Sequence, residues 1–170
     1  MVEVRAEQFE SKQFRVAEAA EDEVIARHFY QLWLDNQVSA TDLRPDWQAV
    51  TLQFIQQARQ DLQFQAFVAV VEQQVVGSVS CQLFAGLYPL ILTDRQRKYG
   101  YIWGVYVEPQ YRRQGLAKQL TQLAIDYLKS LHCTRVILHA SPSGKPLYEQ
   151  LGFVSSNEMR LDLPPSNLPP

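Results

Sequence analysis

The chain has 170 residues, 46% hydrophobic and 20% charged, with a formal net charge of −2. That is the size and composition of one soluble globular domain with a proper core. The near-neutral balance predicts no general nucleic-acid or membrane affinity, so any positive site must be local. The two cysteines, Cys81 and Cys133, lack metal-ligand spacing and a nearby His/Cys cluster. Neither a zinc site nor a disulfide framework is expected, and a reducing, cytoplasmic compartment is the simplest. Met-Val-Glu-Val-Arg-Ala-Glu does not read as a signal peptide, and no apolar run is long enough to span a bilayer.

In chain order, Phe14 to Ala17 predicts a short strand. Glu18 to Glu23 brings acidic residues and alanines, a helix-start composition. Val24, Ile25, Phe29, Leu32 and Trp33 then make the apolar face of a helix running to about Asn36. His28 lies beside that face without a second His or Cys at ligating spacing, and reads as a packed or half-exposed helix residue. Asp35 to Asp46 is a loop punctuated by Asp35, Asn36, Asp42 and Pro45. Trp47, Val50, Phe54, Ala58 and Leu62 keep the period of a second helix, whose glutamines form a solvated face. Phe64 to Val71 and Val75 to Phe84 are β-branched and aromatic strands joined by Glu72-Gln73-Gln74. Gly77 marks a bulge or a close backbone approach. Residues 85–98 form a long connection carrying Arg95, Arg97 and Lys98. A solvated loop is the plainer reading of that basic cluster; a lid or acceptor-binding loop is the alternative.

Tyr99 to Val107 is an apolar strand that Glu108-Pro109 ends, because proline has no backbone donor and fixes its own φ. Leu116, Leu120, Leu123, Ala124, Tyr127, Leu128 and Leu131 fall on one face of a helix ending near Lys129. Between strand and helix lies Arg112-Arg113-Gln114-Gly115-Leu116-Ala117, a turn whose amides are not yet paired within a helix. Free N–H groups, the positive end of the helix dipole and two arginines together favour a bound anion. Gly115 has no Cβ and lets a ligand approach the backbone, and Ala117 is small for the same approach. The Walker pattern and Gly-x-Gly-x-x-Gly are both absent. Arg135 to Ala140 is a further apolar strand, so strand, helix and strand predict a right-handed parallel crossover. Ser141 to Gly144 is a loop, Lys145 to Leu151 a short helix capped by Gly152, and Phe153 to Leu163 the last strand. The tail, residues 164–170, is too rich in proline to pack regularly and is expected to be loose.

The stretch from Val105 to Ala117 resembles the pyrophosphate loop of the GNAT superfamily of acetyl-CoA-dependent N-acyltransferases, Arg/Gln-x-x-Gly-x-Gly/Ala, preceded by Val-x-Val-x-Pro. Residues 140–153 carry a second resemblance: a loop, a short helix with Tyr148, then Leu151-Gly152-Phe153. The family often has Asn seven residues before that tyrosine, where this chain has Ser141. The resemblance implies an α/β (α+β) fold. Its sheet would be mixed, mostly antiparallel and twisted, of six or seven strands with helices on both faces. It would open near residues 105 and 136 to admit a pantetheine arm. Residues 1–163 would be one domain. Val105, Tyr106, Val107, Arg112, Arg113, Gln114, Gly115, Leu116, Ala117, Lys118, Ser141, Ser143 and Lys145 would bind acetyl-CoA, and no metal is implied.

Acetyl transfer from a thioester to an amine sets four requirements. The donor's phosphates must be anchored, which the amides and arginines of 112–118 can do. A splayed strand edge at Val105 to Val107 would polarise the acetyl carbonyl. The Tyr148 hydroxyl would protonate the leaving thiolate. Finally the amine must lose its proton. Many family members place a glutamate on the strand before the loop, but Tyr99 to Val107 holds no carboxylate and Glu108 lies at its end. A base acting through water, His139, and a carboxylate from the loop 35–46 stay open, and His139 reads more simply as a packed strand residue. Trp33, Trp47, Tyr101, Trp103 and Tyr106 fit an acceptor pocket and a core equally well. The expected function is acetyl transfer from acetyl-CoA to a primary amine of a small molecule or peptide, by direct attack in a ternary complex. The protein would act as a monomer or homodimer, with no nucleic-acid or membrane partner. The rival is a non-catalytic acyl-CoA-binding module.

Overall fold

The computed structural model describes residues 12–162, so Leu163 and the proline-rich tail lie outside the described residues. Five strands form one sheet in chain order: β1 (Gln13–Val16), β2 (Gln65–Val71), β3 (Gln74–Leu83), β4 (Tyr99–Val107) and β5 (Arg135–Ile137). Neighbours are antiparallel except β4 and β5, which are parallel. The helices are α1 (Asp22–Asp35), α2 (Trp47–Asp61), α3 (Leu116–Ser130) and α4 (Lys145–Gln150). None is long and apolar enough to cross a membrane among the described residues.

Strand alternation divides the core in two. On one face Phe67, Ala69 and Val71 pack with Leu116, Leu120, Ala124 and Leu128 of α3. On the other, Ala66, Val68, Val70 and Trp103 pack with Ile25 of α1 and with Ile55 and Ala58 of α2. β2 is therefore buried on both faces, which explains its unbroken apolar run. Glycines let α3 settle onto the sheet. A Cβ on Gly100 would come within 2.6 Å of Leu128 Cδ2, and one on Gly77 within 3.0 Å of the Tyr106 carbonyl oxygen. Gly77 also adjoins a bulge: Ala69 faces Gly77 while Val70 faces Val75, leaving Val76 extra.

The expected sheet needs correction. The sheet has five strands among the described residues, not six or seven. The stretch expected as a last strand, from Phe153 onward, forms none through Asp162. Phe153 turns inward, its N–H bonded to the Tyr148 carbonyl and its ring against Tyr148. Beyond it the chain finds only a three-residue strand to pair with, and Met159 is left 95% exposed. The strand expected over Arg135 to Ala140 stops at Ile137, because the chain there leaves β4. The β4–β5 ladder pairs Tyr99 to Tyr101 with Arg135 to Ile137. Val136 is thus still paired, and the sheet opens beyond Tyr101 and Ile137.

Candidate active site

At this fork a cleft of about 490 Å³ runs between β4, the start of α3 and the loop leading to α4. β4 is irregular where it enters. Tyr106 faces Ser78 and Trp103 faces Ser80, so three steps of β4 oppose two of β3, and Gly104 takes a positive φ of 64°. The bulge sends Val105 and Val107 toward α3 and Tyr106 toward α1. The Glu108 N–H bonds the Val76 carbonyl on β3. By strand alternation, Val107 turns its own backbone groups to the open side. Arg112 Nε bonds that Val107 carbonyl at 2.8 Å.

Glu108, Pro109 and Tyr111 close a tight turn, after which the backbone is held in left-handed conformations at Arg113 (φ 63°) and Gly115 (φ 81°). No side chain caps α3, and the Gln119 N–H is bonded to the Gly115 carbonyl at 3.1 Å. The first-turn amides before it have no helical partner and face the positive end of the dipole. Such a concave set of N–H groups can receive an anion. Arg113 and Lys118 line the cleft beside it, and neither is ion-paired among the described residues.

Two of the expected residues point elsewhere. Gln114 accepts from Lys12 Nζ at 2.6 Å, and Lys145 pairs with Glu149 at 3.8 Å along α4; neither lines the cleft. Arg112 does line it, but its guanidinium also reaches Asp35 Oδ2 at 2.5 Å. Leu116 is core by its side chain and offers only its amide. Ser141 and Ser143 line the cleft with their hydroxyls 3.2 Å apart, and Ser141 Oγ accepts from the Gly144 N–H at 3.2 Å. Tyr148 also lines the cleft, and burial pushes its phenol above the ordinary tyrosine range. It therefore stays protonated at neutral pH, the state a proton donor needs.

His139 is not a packed strand residue: its side chain is 68% exposed and lines the cleft. Its Nδ1 lies 3.0 Å from the Tyr101 hydroxyl and its Nε2 lies 3.3 Å from Glu158 Oε2. Burial, and next the Glu158 charge, raise the Tyr101 phenol pKa. Sequence reasoning missed Glu158, which lies nineteen residues from His139 in a segment without regular structure. The Tyr101–His139 contact did have a signal. A parallel crossover that places Ile137 beside Tyr101 puts residue 139 on the same face one step further.

Of the other candidate bases, Asp35 holds Arg112, Asp46 holds Arg44 at 2.8 Å, and Glu108 accepts from Gln110 at 2.9 Å outside the cleft, while Asp42 is exposed and does not line the cleft. His28 is a packed helix residue, with Nδ1 2.8 Å from Ser78 Oγ. Of the aromatics, Trp103 is core with its Nε1–H donating to Gln82, Trp47 stacks on Tyr30, and Trp33 stays 44% exposed. Among the described residues no group of three or more His, Cys, Asp or Glu could hold a metal ion, and both cysteines are free.

Residues 27–153 match the acetyltransferase (GNAT) family, and the chain belongs to it. It is 43% identical over 91 residues to the glucosamine 6-phosphate N-acetyltransferase of Trypanosoma brucei brucei, over 53% of this chain and 58% of that one. It is 36% identical over 63 residues to N-alpha-acetyltransferase 30 of Saccharomyces cerevisiae, over 35% of this chain and 36% of that one. Both alignments thus span less than two thirds of the relatives' length. A predicted acetyltransferase from Clostridium acetobutylicum, solved with acetyl-CoA, superimposes with a TM-score of 0.76 at 20% identity, covering 91% of this chain and 96% of that one. This last likeness bears on the fold.

Proposed function

We propose that the protein transfers an acetyl group from acetyl-CoA to a primary amine by direct attack within a ternary complex. The observation that carries this reading is the meeting of three features on one cleft: the uncapped start of α3, the forked edge of β4 and Tyr148. The amides at 115–118 would hold the diphosphate, with Arg113 and Lys118 beside it. The pantetheine arm would run through the fork in place of the missing β4–β5 ladder, and the Val107 N–H would polarise the acetyl carbonyl. The amine attacks that carbonyl, the carbon–sulfur bond breaks, and Tyr148 gives its proton to the thiolate. Tyr101 takes the amine proton while passing its own to His139 Nδ1, and the imidazolium formed lies beside the Glu158 carboxylate.

This last contact favours catalysis over a binding module, since it supplies a proton acceptor where β4 has no carboxylate. Calorimetric titration with acetyl-CoA tests the binding half. Thiol release over a panel of amines and amino-terminal peptides tests the transfer half. Tight acetyl-CoA binding with no acetylated amine would leave the binding module standing instead.

A further inference from the structure

The fork has a second polar feature, on the face of the sheet that carries Tyr101 and His139. Tyr99 pairs with Arg135 across the parallel ladder, so the two share a face with Tyr101, Ile137 and His139. The Arg135 guanidinium sits 5.0 Å from the centre of the Tyr99 ring. Arg97, from the long connection before β4, lies 4.8 Å from the same ring and 4.3 Å from that of Tyr88. Two guanidinium groups thus crowd one phenol ring, and Lys98 adjoins them. None of the three is ion-paired to a carboxylate among the described residues, whereas Arg15, Arg44, Arg59 and Arg112 are. A hollow of about 130 Å³ beside them is lined by Arg97, Lys98 and Tyr99, with Asp94 its one carboxylate. Three cations with one carboxylate near them still repel each other, and an anion between them removes that cost. The stacked guanidiniums are held by their rings, and their forked donors suit a carboxylate or phosphate.

Tyr99 and Tyr101 are two residues apart on one strand, about 7 Å at 3.3–3.4 Å per residue. We infer that the amine acceptor carries an anionic group, a phosphate or a carboxylate, held by Arg97 and Arg135 beside Tyr99, two residues before Tyr101 on β4. The inference rests on the acyl-transfer reading above and specifies its substrate. It also gives the basic cluster of the long connection the acceptor-binding role rather than that of a solvated loop.

The test is steady-state kinetics of the full chain with acetyl-CoA and two matched pairs of amines. Glucosamine 6-phosphate is compared with glucosamine, and γ-aminobutyrate with n-butylamine. The anionic member of at least one pair should have a kcat/KM about tenfold or more above its neutral partner, and the pair concerned tells phosphate from carboxylate. In Arg97→Gln/Arg135→Gln that preference should collapse to within about threefold through a higher KM, with the neutral amines unaffected. Neutral amines turned over as well as anionic ones would overturn the anion site and leave acetyl transfer standing. So would a preference that survives in the double variant. If none of the four amines were acetylated while acetyl-CoA still bound, the small anionic acceptor would fall, and thiol release with amino-terminal peptides would decide separately whether acetyl transfer stands.

Discussion

Arg112 ties the carboxylate of Asp35 to the end of β4. Its Nε bonds the Val107 carbonyl at the end of β4, and its Nη2 meets Asp35 Oδ2 at the end of α1. The loop that would hold the diphosphate is thereby tied to the end of α1. Both side chains are about 40% exposed, so the pair itself is worth only a few tenths to about 1 kcal/mol. Asp35→Asn should therefore lower Tm by no more than about 4 °C in calorimetry. It should leave acetyl-CoA binding unchanged or slightly tighter, since the freed guanidinium can turn to the diphosphate. A loss of affinity beyond about tenfold would show instead that Asp35 aims Arg112 at the ligand.

Tyr148 is most of the way out of solvent, and only burial raises its pKa. Tyr148→Phe keeps the ring against Phe153 and removes the proton to be donated. The expected result is a fall in kcat of roughly ten- to a thousandfold with acetyl-CoA affinity almost unchanged. Parallel turnover and titration measurements separate the two, and an unaltered kcat would take the acid role from Tyr148.

What could be read from the chain, and what could not, follows from where the signal resides. The elements through α3 were legible because their apolar periods are long and their ends are punctuated. Glu108-Pro109 stops β4, and Gly115 starts α3 in a conformation that favours glycine. The last segment misled because Met159 and Leu161 alternate with polar residues as a strand would, yet β5 offers only three residues to pair with. Pairing is a tertiary matter that alternation cannot guarantee. Arg112 was legible as a cation beside the loop, but its partner Asp35 is 77 residues away, so its brace could not be read locally. Glu158 escaped for the same reason.

His28 should make the protein acid-sensitive. It is 2% exposed, and burial, with a smaller push from Arg27, lowers its pKa from its usual 6.5 to about 4. Glu108 stands 4.0 Å from Nε2 and opposes that shift, but the desolvation is larger. The unfolded chain then binds more protons than the folded one between those two values. Stability is full above pH 6.5 and is lost as pH falls toward 4, by about 3 kcal/mol if this residue acts alone. Denaturant unfolding at pH 7, 6 and 5 should show the decline, and His28→Gln should flatten it. An equal slope in the variant would assign the acid sensitivity to other groups.

Gly115 separates folding from binding. A Cβ there would meet no heavy atom within 4 Å, so the cost to the free protein is only the left-handed backbone, about 1–2 kcal/mol. Gly115→Trp should fold, with a Tm lower by several degrees, while filling the space over the α3 amides. Calorimetry should find acetyl-CoA binding abolished, and Gly115→Ala should fall between. Normal binding to the tryptophan variant would place the diphosphate somewhere other than this loop.

The Tyr101–His139 contact makes a prediction that depends on the acceptor's own chemistry. An alkylamine is an ammonium ion at neutral pH and must lose a proton before or during attack, whereas hydroxylamine is largely unprotonated there. A proton acceptor contributes about a hundredfold or more only when there is an ammonium proton to take. His139→Ala and Tyr101→Phe should therefore depress kcat for n-butylamine at pH 7 by about two orders of magnitude, and for hydroxylamine by much less. Raising the pH should rescue the alkylamine rate in both variants, because solvent then does the deprotonation. His139 is exposed and Tyr101 half-buried, so neither change threatens the fold. If the two amines lost rate equally, the contact would be positioning the substrate rather than moving its proton. If neither lost rate, deprotonation would have to proceed through water alone.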